Sequence, residues 1–109
     1  MDQKGDIVLI PFPFTDLTAT RSRPVAVVTV SEYERETSDF TVAMITSIPP
    51  TSPHDYELKD WQSSNLLYTS WVRTKLVTLG PKLVRYRVGR LSDQDLIEVD
   101  KRIRLALGL

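Results

Sequence analysis

The apolar residues of this chain come in short runs, each long enough for one strand and most broken off by proline, serine, threonine or a charged residue. The runs at 7–10, 25–30 and 40–46 are rich in Val, Ile and Phe. Such composition with such punctuation reads as strands. Pro11 and Pro13 are expected to end the first, since proline cannot donate to a ladder. The stretch 15–22 has no apolar period and reads as a loop returning Arg21 and Arg23 to the sheet, with Pro24 entering the second strand.

After Ser47 the chain reads Ile48-Pro49-Pro50-Thr51-Ser52-Pro53-His54-Asp55, a proline-rich loop. Tyr56-Glu57-Leu58 predicts a short strand, and 70–79 alternates imperfectly. Gly80-Pro81 marks a turn, and 83–89 alternates cleanly as a strand. A single helix is expected from Ser92, with Asp95 as an acidic variant of the capping box and Leu96, Val99, Ile103 and Ala106 or Leu107 as one apolar stripe. That stripe must pack on a sheet or a partner. Many short strands expose many edges, and closure removes them. The expected fold is therefore mainly β, an SH3-like barrel of five to seven antiparallel strands with a C-terminal helix.

At 109 residues the chain fits one domain, 1–109, able to bury its apolar surface without disulfides. It contains no cysteine, which removes thiol catalysis and thiolate metal sites. No apolar stretch approaches the roughly 20 residues of a membrane helix, and the N-terminus lacks secretory-signal character, so the expectation is a cytoplasmic protein without membrane association. Basic and acidic residues balance at 14 each, against a general nucleic-acid binder. Their distribution is uneven: acids crowd the first forty residues, and 73–90 carries Arg73, Lys75, Lys82, Arg85, Arg87 and Arg90 without an acid. A neutral protein with such a run can present a positive face, or can turn alternate strand residues into solvent.

Two arginines, Arg21 and Arg23, and a hydroxyl pair, Thr46 and Ser47, stand at the ends of apolar strands, an arrangement suited to phosphate. On a regular strand Thr46 and Ser47 face opposite ways, so only one should line a site. His54, in a proline-rich loop, reads as a surface residue. Tyr56, Trp61, Tyr68 and Trp71 suit either base stacking or a core and interface role, with Trp71 beside Val72 reading as core.

Five segments in order carry a resemblance: Gly5-Asp6-Ile7-Val8, Arg23-Pro24-Val25-Ala26-Val27-Val28, Ile45-Thr46-Ser47, Ser70-Trp71-Val72-Arg73 and Val88-Gly89-Arg90-Leu91-Ser92. Together they resemble the MazF/PemK (Kid) family of toxins from type II toxin–antitoxin modules, over nearly the whole chain. The resemblance implies a barrel-plus-helix homodimer that cuts single-stranded RNA at short sequences, with no cofactor and no metal. It also implies a cognate antitoxin protein as partner, with operator DNA bound only in complex with that antitoxin. Carried over, the catalytic positions fall on Arg23 and Thr46, and RNA-binding roles on Arg21, Ser47, Arg73 and Lys75. The many relatives with glycine and a glutamate or glutamine before the Arg-Pro pair differ from this chain, which reads Phe14-Thr15-Asp16-Leu17-Thr18-Ala19-Thr20-Arg21-Ser22 there. The rival functions are a gyrase-poisoning toxin on the same fold, acting through its terminal helix, and a non-catalytic nucleic-acid-binding or antitoxin-binding module.

Overall fold

A computed structural model describes residues 2–12 and 21–109. Six strands form one antiparallel sheet: β1 (Asp6–Phe12), β2 (Arg21–Thr29), β3 (Phe40–Thr46), β4 (Tyr56–Glu57), β5 (Trp71–Leu79) and β6 (Tyr86–Arg90), in the order β4-β5-β3-β2-β1-β6. A short helix, α1 (Glu32–Thr37), joins β2 to β3, and a longer one, α2 (Asp93–Leu107), closes the chain. The fold is mainly β with a C-terminal helix, as expected. Register shifts interrupt the β1–β6, β2–β3 and β3–β5 ladders, and such bulges sharpen twist and help curl the sheet into a half-barrel.

The apolar runs are continuous because the sheet is buried on both faces. Along β2, Val25 and Val27 join one cluster, with Val8, Ile10, Phe40, Val42 and Leu79, while Ala26 and Val28 join the other. That second cluster holds Ile7, Ala43, Ile45 and Val72, and α2 lays Val99 and Ile103 on it. The helical stripe ends at Ile103: Leu107 is exposed. None of the helices among the described residues is long and apolar enough to cross a membrane.

Four local expectations are corrected. Pro11 lies inside β1, opposite Ser22, rather than ending it. The carbonyl of Leu9 accepts from Arg85 N–H at 2.7 Å, so Leu9 and Pro11 direct their backbone groups toward β6, which has already left by Pro11. The missing N–H therefore breaks no bond. Arg21 and Ser22 belong to β2 rather than to a loop, and the rest of that loop, from residue 15 to 20, lies outside the described residues. β6 begins only at Tyr86, because Pro81–Leu83 form a 3-10 turn. The helix α1 had no apolar period to reveal it. Its stop and start are polar: Ser31 and Glu34 make a reciprocal capping box, and Ser38 ends it in the left-handed region.

The segment Val88–Ser92 explains itself by packing against Gly5-Asp6. Gly5, at φ 96°, donates to Val27 O and accepts from Leu91 N–H. Asp6 accepts ion pairs from Arg87 and Arg90 at 3.3 and 3.2 Å, which neutralises part of the basic run. A Cβ on Gly89 would lie 2.3 Å from the carbonyl oxygen of Ser64, so β6 meets the 61–65 turn backbone to backbone.

Gly89→Ala is expected to destabilise the protein by about 1–3 kcal/mol, whereas Gly80→Ala, with nothing nearer than 3.6 Å, should stay within about 1 kcal/mol of wild type. Thermal melts of the two variants test this, and equal melting temperatures would refute the close approach. A second expectation concerns acid. Burial pushes the Glu34 carboxyl up, but hydrogen bonds from Thr41, the Ser31 backbone and Thr29 outweigh it and leave it below its ordinary value. A depressed carboxylate stabilises the fold above its unfolded pKa, and that stability is lost as pH falls through the folded value. Glu34→Gln should therefore flatten the acid limb of a stability–pH curve measured by urea unfolding.

Candidate functional site

One end of the sheet is open because two ladders stop there. The β1–β6 pairing ends at Leu9 and Tyr86, and the β2–β3 pairing ends at Val25 and Met44. Pro24 sits opposite Leu9, whose polar groups face β6, so Pro24 turns its nitrogen toward β3 beyond the last paired residue. Between these diverging strand ends lies a cleft of about 410 Å³ lined by Arg23, Pro24, Leu9, Ile45, Thr46, Ser47, Ile48 and Ser70, with Asn65, Leu66, Leu67 and Tyr68 from the loop before β5 and Tyr86 and Val88 from β6. Its size is that of a small-ligand site. Among the described residues Arg23 is the only charged one in this lining, and no carboxylate comes within ion-pair range of it.

Thr46 ends β3, and its Oγ1 accepts from the N–H of Ile48 at 3.1 Å. With that lone pair engaged, the hydroxyl proton is left as the group to offer a ligand. Ser47 lines the same cleft, which corrects the expectation that only one of the pair can. Alternation holds only while a strand continues, and the chain bends after Thr46.

The loop wall is irregular and is held from behind. Asp95, wholly buried, accepts from Tyr56 Oη at 2.8 Å, from Lys59 N–H at 3.1 Å and from Asp60 N–H at 2.9 Å. It therefore does not return to cap its own helix: Ser92 accepts from the Asp95 N–H, and the other half of the expected box is absent. The Asp60 carboxylate accepts from Ser92 Oγ at 2.6 Å, and its carbonyl accepts from Ser64 Oγ at 3.0 Å. Burial and then the Asp95 carboxylate push the Tyr56 phenol well above its ordinary value, which keeps it a donor.

The remaining sequence candidates lie elsewhere. Arg73 sets its Nε 3.6 Å from Oδ2 of Asp55, a nearly buried carboxylate whose other oxygen accepts from Thr74 N–H, and Arg73 does not line the cleft. Lys75 is exposed on β5 outside it, and His54 is exposed in the preceding loop. Arg21 starts β2, and its side chain lies outside the described residues. Trp71 is half-buried on a second groove with Trp61 and Arg102 rather than in the core, because its neighbour Val72 takes the inward position. Among the polar and aromatic cleft residues, sequence reasoning gave no site role to Asn65, Ser70 and Tyr86. Tyr86 stood in a clean alternation, but alternation does not say which face is left uncovered.

Residues 3–107 match the family described as PemK-like, MazF-like toxin of type II toxin–antitoxin system. The chain belongs to this family. Solved structures agree in fold. An endoribonuclease in complex with its cognate antitoxin from a mycobacterial species superposes with a TM-score of 0.82 at 19% identity, covering 100% of this chain and 97% of that one. A MazE–MazF complex from Deinococcus radiodurans gives 0.75 at 18% identity, covering 99% and 96%. Mycobacterium tuberculosis toxin MazF-mt6 gives 0.74 at 20% identity, covering 95% and 97%. No curated protein matches the sequence. At these identities the structural likeness speaks for the fold, and the toxin's chemistry must be argued from its own cleft.

Asp95→Ala would leave three donors facing a dry gap and is expected to cost on the order of 3 kcal/mol. Tyr56→Phe removes one donor of the three and should cost about 1–2 kcal/mol. Urea unfolding orders the two, and a smaller loss for the Asp95 variant would contradict the anchoring role.

Proposed function

We propose that the cleft cuts single-stranded RNA within a toxin–antitoxin module, by attack of a ribose 2′-hydroxyl on the adjacent phosphorus. The P–O bond to the 5′ oxygen breaks, leaving a cyclic phosphate on one fragment and a 5′-hydroxyl on the other. The observation that carries this reading is the meeting of Arg23 and Thr46 in one cleft, where Arg23 is the one charged side chain among the described lining residues. Negative charge builds on the non-bridging oxygens in the transition state. A planar guanidinium can hold two of them at once, and apolar walls strengthen that attraction. Thr46 adds a neutral donor to the same oxygens, and Ser47 a second hydroxyl at the rim.

Arg23 keeps its proton at any working pH, so its part is charge stabilisation rather than that of a general base. The 2′-hydroxyl proton passes to solvent, and the leaving oxygen takes a proton from water. In this reading Arg21, Arg73 and Lys75 serve flanking phosphates at most. Sequence-selective cutting, independence of metal, a homodimer, control by a cognate antitoxin, operator DNA held only with that antitoxin, and a cytoplasmic site of action belong to the same proposal. A toxin acting on a protein through α2 and the C-terminus would use the exposed Leu105, Leu107 and Leu109, but the neighbouring Lys4 and Arg104 are already paired with Asp100.

The test is incubation of purified protein with single-stranded RNA in excess chelator, followed by chemical identification of the new ends. Cutting with 5′-hydroxyl ends is expected. Arg23→Ala should lower kcat/KM by about 10²–10³, Thr46→Val by about tenfold, and Arg23→Lys should recover little because a point charge lacks the fork. His54→Ala should remain within a few-fold of wild type. Undiminished cutting by Arg23→Ala would remove the site assignment.

A further inference from the structure

The catalytic reading uses Arg23, Thr46 and Ser47 and leaves the opposite wall of the cleft without a task. That wall holds two large aromatic side chains that the core does not need: Tyr68 is 67% exposed and Tyr86 60% exposed, and both line the cleft. Beside them, Asn65 donates its Nδ2 to Val88 O at 3.2 Å. A carbonyl can only accept, so the amide nitrogen must face it, and Oδ1 is what Asn65 has left to offer.

The backbone fixes this wall before any ligand arrives. Asn65 sits at φ 64°, a conformation that asparagine tolerates better than most residues. Its neighbour Ser64 is buried, and the Ser64 carbonyl lies so close to β6 that Gly89 has no room for a Cβ. The 61–65 turn and β6 therefore move as one piece, and Tyr86 and Asn65 keep a set relation to each other.

We propose, resting on the reading of the cleft as an RNA-cutting site, that Tyr86 and Asn65, with Tyr68 beside them, are its base-reading wall. Tyr86 offers a stacking surface to a nucleobase next to the scissile phosphate. Stacking tolerates any base, since every base has a π-face. Asn65 Oδ1 supplies the discrimination, because it rewards a base edge that presents an N–H there and leaves an edge presenting only acceptors unpaired. Arg23 and Thr46 thus act on the phosphate that all nucleotides share, and the loop–β6 wall selects among bases. These are specificity residues rather than catalytic ones.

The experiment compares wild type, Arg23→Ala, Tyr86→Leu, Tyr86→Phe and Asn65→Gly on a pool of random-sequence single-stranded RNA, sequencing the new ends. KM and kcat follow on the best-cut oligonucleotide, and thermal melts confirm folding. Glycine is chosen at 65 because it accepts the left-handed backbone. Tyr86→Leu should raise KM about tenfold, and Tyr86→Phe, which keeps the ring, should restore it. Asn65→Gly should flatten the base preference at one position beside the cut while the other positions keep theirs. If both Tyr86→Leu and Asn65→Gly fold and cut the same sequences with the wild-type KM, the base-reading wall is refuted while the nuclease reading stands. If wild type cuts nothing in the pool, the nuclease reading falls and this inference with it.

Discussion

A single buried carboxylate underlies both the position of the terminal helix and the shape of the site. Asp95 has no exposed surface, and an ion in such a place is tolerated only when its oxygens are fully engaged. Here three donors converge on it, one phenol and two backbone N–H groups, and it sits in the first turn of α2, where the helix dipole favours an anion. Lys59 and Asp60 open the irregular segment before β5, whose own backbone bonds gather in the turn at 60–66. One acidic side chain thus ties α2 to β4 and to the start of the loop. The loop is the cleft's far wall, so the cleft inherits its geometry from the helix.

The strand ends do the rest. Proline is usually read as the end of a strand, but Pro11 and Pro24 both stand inside strands, each at a point where the neighbour on its nitrogen side has departed. They mark where ladders stop, and the stopping of ladders on both sides of the β1–β2 pair makes the opening. Arg23, next to Pro24, lies at that opening as a consequence of the same geometry. The Arg-Pro pair is therefore one device: proline accompanies the loss of the ladder, and arginine occupies the space.

The six strands and the terminal helix were legible because two-sided burial writes itself as continuous Val- and Ile-rich runs and a helical stripe repeats at its own period. Arg23 and Thr46 were legible as a pair through family resemblance, whereas Ser47 was expected on the opposite face and reaches the cleft because the strand stops at Thr46. Less local features were not. The partner of Arg73 is Asp55, immediately before β4, and the partner of Arg87 and Arg90 is Asp6, at the other end of the chain. A basic run without an internal acid gives no hint of either. Helix α1 is too short for an apolar period, and its capping box, Ser31 to Glu34, went unread. Asn65 and Tyr86 escaped because their meaning lies in a backbone contact between a loop and a strand far apart in sequence. Only the glycine at 89 hinted at that closeness.

A chain with equal numbers of acids and bases can still offer an anion a favourable site, and the placement of the acids explains how. Glu32, Glu34, Glu36 and Asp39 follow the far end of β2, while Arg23 stands near its start. Six residue steps of strand separate Arg23 from Thr29, the end of β2, which at about 3.3 Å each is roughly 20 Å. That exceeds the Debye length of about 8 Å at physiological ionic strength, so the acids of α1 contribute little field at Arg23. Among the described residues the cleft lining carries no carboxylate. Neutrality overall and positive potential at one strand end are compatible because screening makes electrostatics local. A polyanion would then be attracted to the cleft rather than to the whole surface, and net charge is a poor guide to what this fold can hold.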